Sequence, residues 1–261
     1  MKKLILALLF IPILSIASGG GPKLDQVTID VSNISTLQRG AKIFVNYCMG
    51  CHSLKYVSYG RLAKDLSLTE NQVYKYMVGT HKEKKRLSDY MITALSKAQA
   101  KRFYGGTPPD LSTISRARGD NWLYTYLRSF YVDKSDKNLP FGVNNIVFDK
   151  VSMPHVMIKL QGEQTAQFEP YYVTNDKGEK IKKKRFVGFL PVNAEGLSQA
   201  ELDKKAKAFD NTTRDLVTFL SYVGDPGKLA RHAVGFWVLL FLIVFTLLAY
   251  LMKKEFWRDI H

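Results

Sequence analysis

Cys48-Met49-Gly50-Cys51-His52 is the stretch on which the reading of this chain turns. Two cysteines three positions apart, with a histidine directly after the second, form the attachment signature of a c-type haem. The chemistry requires that spacing: each thiol adds to one vinyl group of the porphyrin, and the short loop then presents the His52 imidazole to one face of the iron. Met49 and Gly50 are spacers, and Met49 lies too close to the anchored edge to reach the metal. The 261 residues contain only these two cysteines, so one covalently bound haem c uses both. A zinc site would need a second pair to complete four ligands. A thioredoxin-like redox pair would call for a strand–helix setting rather than a following histidine.

Both ends of the chain point to a membrane. Met1-Lys2-Lys3, the apolar run Leu4 to Ile16 and the small residues Ala17, Ser18 and Gly19 read as a secretory signal peptide over residues 1–19. Haem is joined to this motif outside the cytoplasm, so leader and motif support one another. Near the other end, Ala233 to Met252 carries no charge. At helical rise such a run spans about 30 Å of hydrocarbon. The organisation expected is an exported domain over 20–227, a membrane anchor over 229–252 and a cytoplasmic tail over 253–261. Lys253, Lys254 and Arg258 agree with that orientation, while Lys228 and Arg231 on the outer side weaken the charge bias.

The formal net charge is +15. An exported, membrane-tied domain meets lipid headgroups and protein partners, so this is not nucleic-acid charge. Its two dense runs, Lys82 to Arg86 and Lys182 to Arg185, read as solvated loops or edges.

Periodicity places the motif at the end of a helix. Ser35 with Gln38 reads as a capping box opening a helix through Leu37, Gly40, Ala41, Phe44 and Tyr47. Gly40 on its apolar face leaves room for another helix to cross closely. Thr69 and Gln72 start a second helix through Val73, Tyr76 and Met77, and Lys97 to Phe103 forms a short third. Asp120-Asn121 caps a helix from Trp122 to Tyr131. Tyr171–Thr174 and Arg185–Leu190 read as a small β-hairpin about the turn 175–178. Ser198 with Glu201 caps a long helix to about Val223, which Asp225-Pro226-Gly227 separates from the apolar run. The fold expected is mainly α: a cytochrome c fold with long loops and a small hairpin, plus one C-terminal transmembrane helix.

The sixth iron position decides the chemistry. An open position suits oxygen or peroxide chemistry; a filled one suits electron transfer, and a Met/His pair raises the reduction potential. The exported candidates are Met77, Met91, Met153 and Met157, with His81 and His155 as imidazole alternatives. Met153 stands out because Pro154 follows it in an irregular stretch, where proline holds a loop against the haem face. His155, Met157 and an open site remain alternatives.

Tyr47-Cys48-Met49-Gly50-Cys51-His52-Ser53-Leu54-Lys55-Tyr56 resembles the haem segment of the cytochrome c1 family, as do Pro108-Pro109-Asp110-Leu111-Ser112 and Arg116-Ala117-Arg118-Gly119. Ser152-Met153-Pro154-His155-Val156 resembles the bacterial form of its ligand loop. The likeness runs in order through nearly the whole chain. It implies that Cys48 and Cys51 carry the porphyrin, that His52 is the proximal ligand and Met153 the distal one, and that Arg118, with Arg116 as nearest competitor, pairs with a haem propionate. A carbonyl of Pro108 or Pro109 is a candidate acceptor for the His52 Nδ1–H, fixing the tautomer that leaves Nε2 for iron.

The function implied is the electron-transfer subunit of a ubiquinol–cytochrome c reductase. It accepts an electron from a Rieske iron–sulfur protein and passes it to cytochrome c, beside cytochrome b, on the periplasmic side of a bacterial inner membrane. Two other classes stand beside it: a membrane-anchored monohaem cytochrome of another respiratory complex, and a haem enzyme or sensor with an open sixth position. One feature departs from the mitochondrial members, which present acidic surface to a basic cytochrome c. Here Gly20–Gly227 holds 31 Lys+Arg against 21 Asp+Glu, a net of +10, which implies an acidic or membrane-tethered acceptor.

Overall fold

The computed structural model describes residues 22–78, 86–174, 178–192 and 195–258. The expected leader, His81, most of the Lys82–Arg86 run and the hairpin turn 175–177 lie outside the described residues.

Helix α1 (Ile34–Ile43) passes into a π-helical turn over Phe44–Cys48, so the chain reaches the first cysteine on a widened last turn. The cap is not the Ser35/Gln38 box. Asn33 takes that place in an extended conformation, and its Oδ1 accepts from the Thr36 amide at 3.0 Å. Asn is as good a cap as Ser, and starting there turns Ser35 into a first-turn residue. Short β1 (Leu54–Ser58) then leads into α2 (Tyr59–Asp65), and α3 (Glu70–Val73) opens on the expected Thr69/Gln72 capping box. After β2 (Tyr90–Met91), which pairs antiparallel with β1, comes α4 (Lys97–Tyr104).

Next come α5 (Ile114–Arg118) and α6 (Asp120–Arg128), separated by Gly119 at φ +87°, a conformation that strains a residue bearing a Cβ. Asp120 and Asn121 do not cap α6, because their side chains are engaged elsewhere. Asp120 accepts from the Ser115 and Ser221 hydroxyls, and Asn121 Oδ1 accepts from the Val27 amide at 2.9 Å, pinning the N-terminal lead-in segment. The helix also stops three residues earlier than its apolar spacing suggests. Phe130 and Tyr131 belong to β3 (Phe130–Val132), paired antiparallel with β4 (Val143–Asn145), since a cross-strand ladder satisfies their backbone there.

After the single turn α7 (Ile158–Gln161), β5 (Gln164–Thr174) and β6 (Lys180–Pro191) form a hairpin about twice as long as expected, with a bulge at Val187. Its Lys182–Arg185 run is fully exposed, as expected of a solvated edge. Helix α8 (Gln199–Gly224) opens on the Ser198/Glu201 box, and α9 (Lys228–Phe256) follows the Asp225-Pro226-Gly227 break. Within α9, Ala233–Phe256 is long and apolar enough to cross a membrane, with mean hydropathy 2.6 and none of it buried against the rest of the chain. A 24-residue apolar helix that covers no core is a candidate span rather than a core element.

The core lies between α1 and α8. Gly40 sits at their crossing: a Cβ there would fall 2.6 Å from Phe219 Cβ and collide with the Asp215 carbonyl. Phe44 and Phe219, both buried, pack with ring centroids 5.9 Å apart. Arg39 forks onto the buried Asp215 carboxylate, Nε at 2.5 Å and Nη2 at 3.3 Å, fixing the rotation of one helix on the other. Tyr222 donates to Asp65 at 2.6 Å and ties α2 to the same helix.

Gly40→Ala therefore should lower the unfolding free energy by about 1–3 kcal/mol, the usual penalty for overpacking. Gly188→Ala, where an added Cβ meets nothing within 4 Å, should stay within about 0.5 kcal/mol of the parent. Urea denaturation of the two variants side by side measures the difference.

Candidate haem site

The π-helical turn delivers Cys48 buried and Cys51 half-exposed, both as free thiols. The amides of Cys51 and His52 both bond back to the Cys48 carbonyl, at 3.0 and 2.8 Å, so the five-residue motif closes on itself as one tight turn. Two loops clamp it from outside. Thr93 donates its hydroxyl to the Gly50 carbonyl at 2.8 Å, and its amide to Ser53 Oγ at 3.0 Å. The Leu111 amide bonds the Ser53 carbonyl at 2.9 Å, and Asp110 accepts from the amides of Lys55 and Ser112.

That second loop places the Pro109 carbonyl 2.7 Å from His52 Nδ1. A carbonyl only accepts, so the hydrogen sits on Nδ1 and Nε2 keeps its lone pair. Burial pushes the His52 pKa down, opposed by the Pro109 bond and the Asp110 charge, which favours the neutral imidazole that a metal needs. Burial and the neighbouring Cys51 push the Cys48 thiol up to about 12. A Cys-x-x-Cys pair beside an imidazole whose Nε2 keeps its lone pair is the donor set that haem c requires.

The distal candidates separate cleanly. Met77, Met91 and Met157 are buried in the main hydrophobic core, where thioethers act as filler. Met153 is half-buried at the edge of a second, smaller cluster formed by Phe130, Val143 and Val151. Its Sδ accepts the Tyr126 hydroxyl at 3.3 Å. His155, two residues on, stacks on Phe130 with centroids 5.1 Å apart and planes 3° from parallel. Its Nε2 is buried with no hydrogen-bond partner, and burial lowers its pKa to about 4, so it too is neutral.

Helix α6 links the two halves. Trp122 and Tyr126, one turn apart, stack at 4.9 Å, and Tyr126 packs on both hydrophobic clusters. The Arg118 guanidinium lies over the Trp122 ring at 5.1 Å and forms no ion pair among the described residues. Arg116 instead lies beside the end of α8, where its charge helps hold the Asp225 carboxyl below its usual range.

Sequence reasoning missed Thr93, Asp110 and Tyr126. Thr93 carried no signal, since a lone threonine in a loop has no spacing rule. Asp110 stood inside the quoted Pro-Pro-Asp stretch, but nothing in it announced a backbone clamp. Tyr126 lies inside the helix expected from Trp122 to Tyr131, where the one available signal is that a buried phenol needs a partner for its hydroxyl.

Comparison with known proteins identifies the family. The Cytochrome C1 family model matches residues 26–260. Cytochrome c1 of Allochromatium vinosum is 44% identical over an alignment covering all of both chains. A Nitrosomonas europaea protein described as an ammonia monooxygenase gamma subunit is 38% identical over all of this chain and 99% of its own. Cytochrome c1 of Rhodospirillum rubrum is 27% identical over 86% of this chain and 81% of its own. With a match that takes in the attachment turn, the Pro109 loop and the apolar C-terminal helix alike, this chain belongs to the cytochrome c1 family.

Proposed function

We propose that this chain is the cytochrome c1 subunit of a ubiquinol–cytochrome c reductase, receiving electrons from a Rieske iron–sulfur protein and passing them to a cytochrome c. Family membership supports a haem electron-transfer subunit of the bc1 complex, with cytochrome b and the Rieske protein as its neighbours. The observation that carries the reading is the 2.7 Å contact of His52 Nδ1 with the Pro109 carbonyl, which leaves Nε2 as a free donor in the turn that bears both cysteines.

Cys48 and Cys51 would hold one haem c through thioethers, His52 Nε2 and Met153 Sδ would bind its iron, and Arg118 would pair with a propionate. Bound there, haem c supplies a one-electron couple. The chain's part would be to hold His52 and Met153 in place, to exclude small ligands and to set the potential. Met153 is preferred to His155 because Ser152-Met153-Pro154-His155-Val156 resembles the family's ligand loop with the ligand at the methionine, and because the His155 ring is stacked on Phe130. Arg118 is preferred to Arg116 because its guanidinium lies over the Trp122 ring on the helix that bears Tyr126, whereas Arg116 lies beside the end of α8 with its charge acting on Asp225. The haem domain faces the periplasm of a bacterial inner membrane, with α9 as its single anchor and Lys253, Lys254 and Arg258 on the cytoplasmic side.

The relative described as an ammonia monooxygenase gamma subunit favours a second reading, in which the same haem domain serves another redox complex. Co-purification with cytochrome b and a Rieske subunit separates the two.

After denaturation in detergent and reductant, haem should remain on the polypeptide, and the double change Cys48→Ala, Cys51→Ala should release it; haem staining of a gel reads this directly. The reduced protein should not bind carbon monoxide, whereas Met153→Ala should bind it and show a lower midpoint potential, followed by difference spectra and redox titration. Electron transfer to an acidic soluble acceptor should slow as ionic strength rises from about 0.01 to 0.15 M, because screening shortens the reach of the positive domain. Stopped-flow rates measure that slope.

A further inference from the structure

The Tyr126 hydroxyl has one hydrogen-bond partner among the described residues, and it is a sulfur: Met153 Sδ at 3.3 Å. A thioether is a weak acceptor, yet the ring is held so that the hydroxyl meets it. Trp122 stacks on one side at 4.9 Å with planes 10° apart, and Phe130 meets the ring edge-on at 5.1 Å. The backbone is pinned as well. The Tyr126 carbonyl accepts from Asn145 Nδ2 at 2.8 Å, and Asn145, itself buried, accepts from the Val147 amide at 3.0 Å. Tyr126 is thus fixed by two rings and by a strand before its hydroxyl is considered.

We propose that Tyr126 is a positioning residue for Met153, orienting its sulfur and raising the reduction potential of the group that the sulfur binds. This rests on Met153 being the axial ligand. A thioether sulfur has two lone pairs, so it can bind a metal through one and accept the phenol proton through the other. The donated hydrogen bond draws electron density from the sulfur, and the positive end of the O–H dipole points at it. Both effects disfavour the more positive ferric state, so their sign is the same. The same bond blocks rotation of the thioether, keeping one lone pair aimed in one direction. The residue lies on α6 rather than on the ligand loop, so the loop geometry alone does not reveal it.

The test uses the holoprotein in detergent and reads potential and spectrum rather than turnover. In Tyr126→Phe, which keeps the ring, the ferrous-to-ferric ratio at a fixed ambient potential should fall about three- to tenfold. Tenfold corresponds to about 59 mV for one electron. The red charge-transfer band of the sulfur–ferric bond should remain but move. Replacing Tyr126 by 3-fluorotyrosine, a stronger donor of similar shape, should shift the ratio the opposite way, which a purely structural role would not do. Should Tyr126→Phe lose the band altogether, the fluorotyrosine protein decides the matter. Unchanged potentials in both proteins, with the band present, overturn the inference while leaving Met153 as ligand. A parent protein without the band overturns the assignment of Met153 and this inference with it.

Discussion

The close crossing of α1 and α8 at Gly40 is the constraint on which the rest of the architecture hangs. Backbone meets side chain there with no space for a Cβ, and the Arg39–Asp215 fork sets how one helix is turned on the other. Because α1 runs directly into the π-helical turn and Cys48, any change in that crossing moves the first cysteine. The apolar contact of Phe44 with Phe219 lies one turn nearer the motif and carries the same alignment forward. A π-helical turn is an uncommon way to end a helix, and its occurrence at the attachment site fits the tendency of such turns to occur where a side chain must be re-aimed.

Around that frame, the site is held by backbone groups more than by side chains. The carbonyls of Gly50, Ser53, Cys48 and Pro109 all accept bonds that fix the motif or its histidine. Backbone acceptors cannot be lost by substitution, so the His52 tautomer is protected from most single mutations. The Met153 side is built differently: Met153 sits on an irregular loop and is held by side chains, among them Tyr126 of α6.

Charge follows the same division. Three titrating groups at the site, His52, His155 and the Cys48 thiol, are pushed towards their uncharged forms by burial. The excess positive charge lies outside, and the exposed Lys182–Arg185 run of the hairpin is its densest described part.

The sequence by itself determined the attachment motif, the helix ending in it, the long α8 with its cap, the hairpin and the apolar α9. Each is specified by local spacing: a two-residue gap between thiols, a capping residue three positions from its acid or amide, an uncharged run of bilayer length. Where local signals competed, spacing alone did not decide. Asn33 displaced Ser35 as a cap, and α6 gave up Phe130 and Tyr131 to a strand whose partner lies some fifteen residues away. Tertiary structure alone decided that the Pro109 carbonyl meets His52, that Met157 lies in the main core while Met153 lies at the edge of the smaller cluster, and that Tyr126 reaches the thioether. Those choices depend on which distant segments come into contact, and a linear spacing rule holds no information about contacts between residues far apart in the chain.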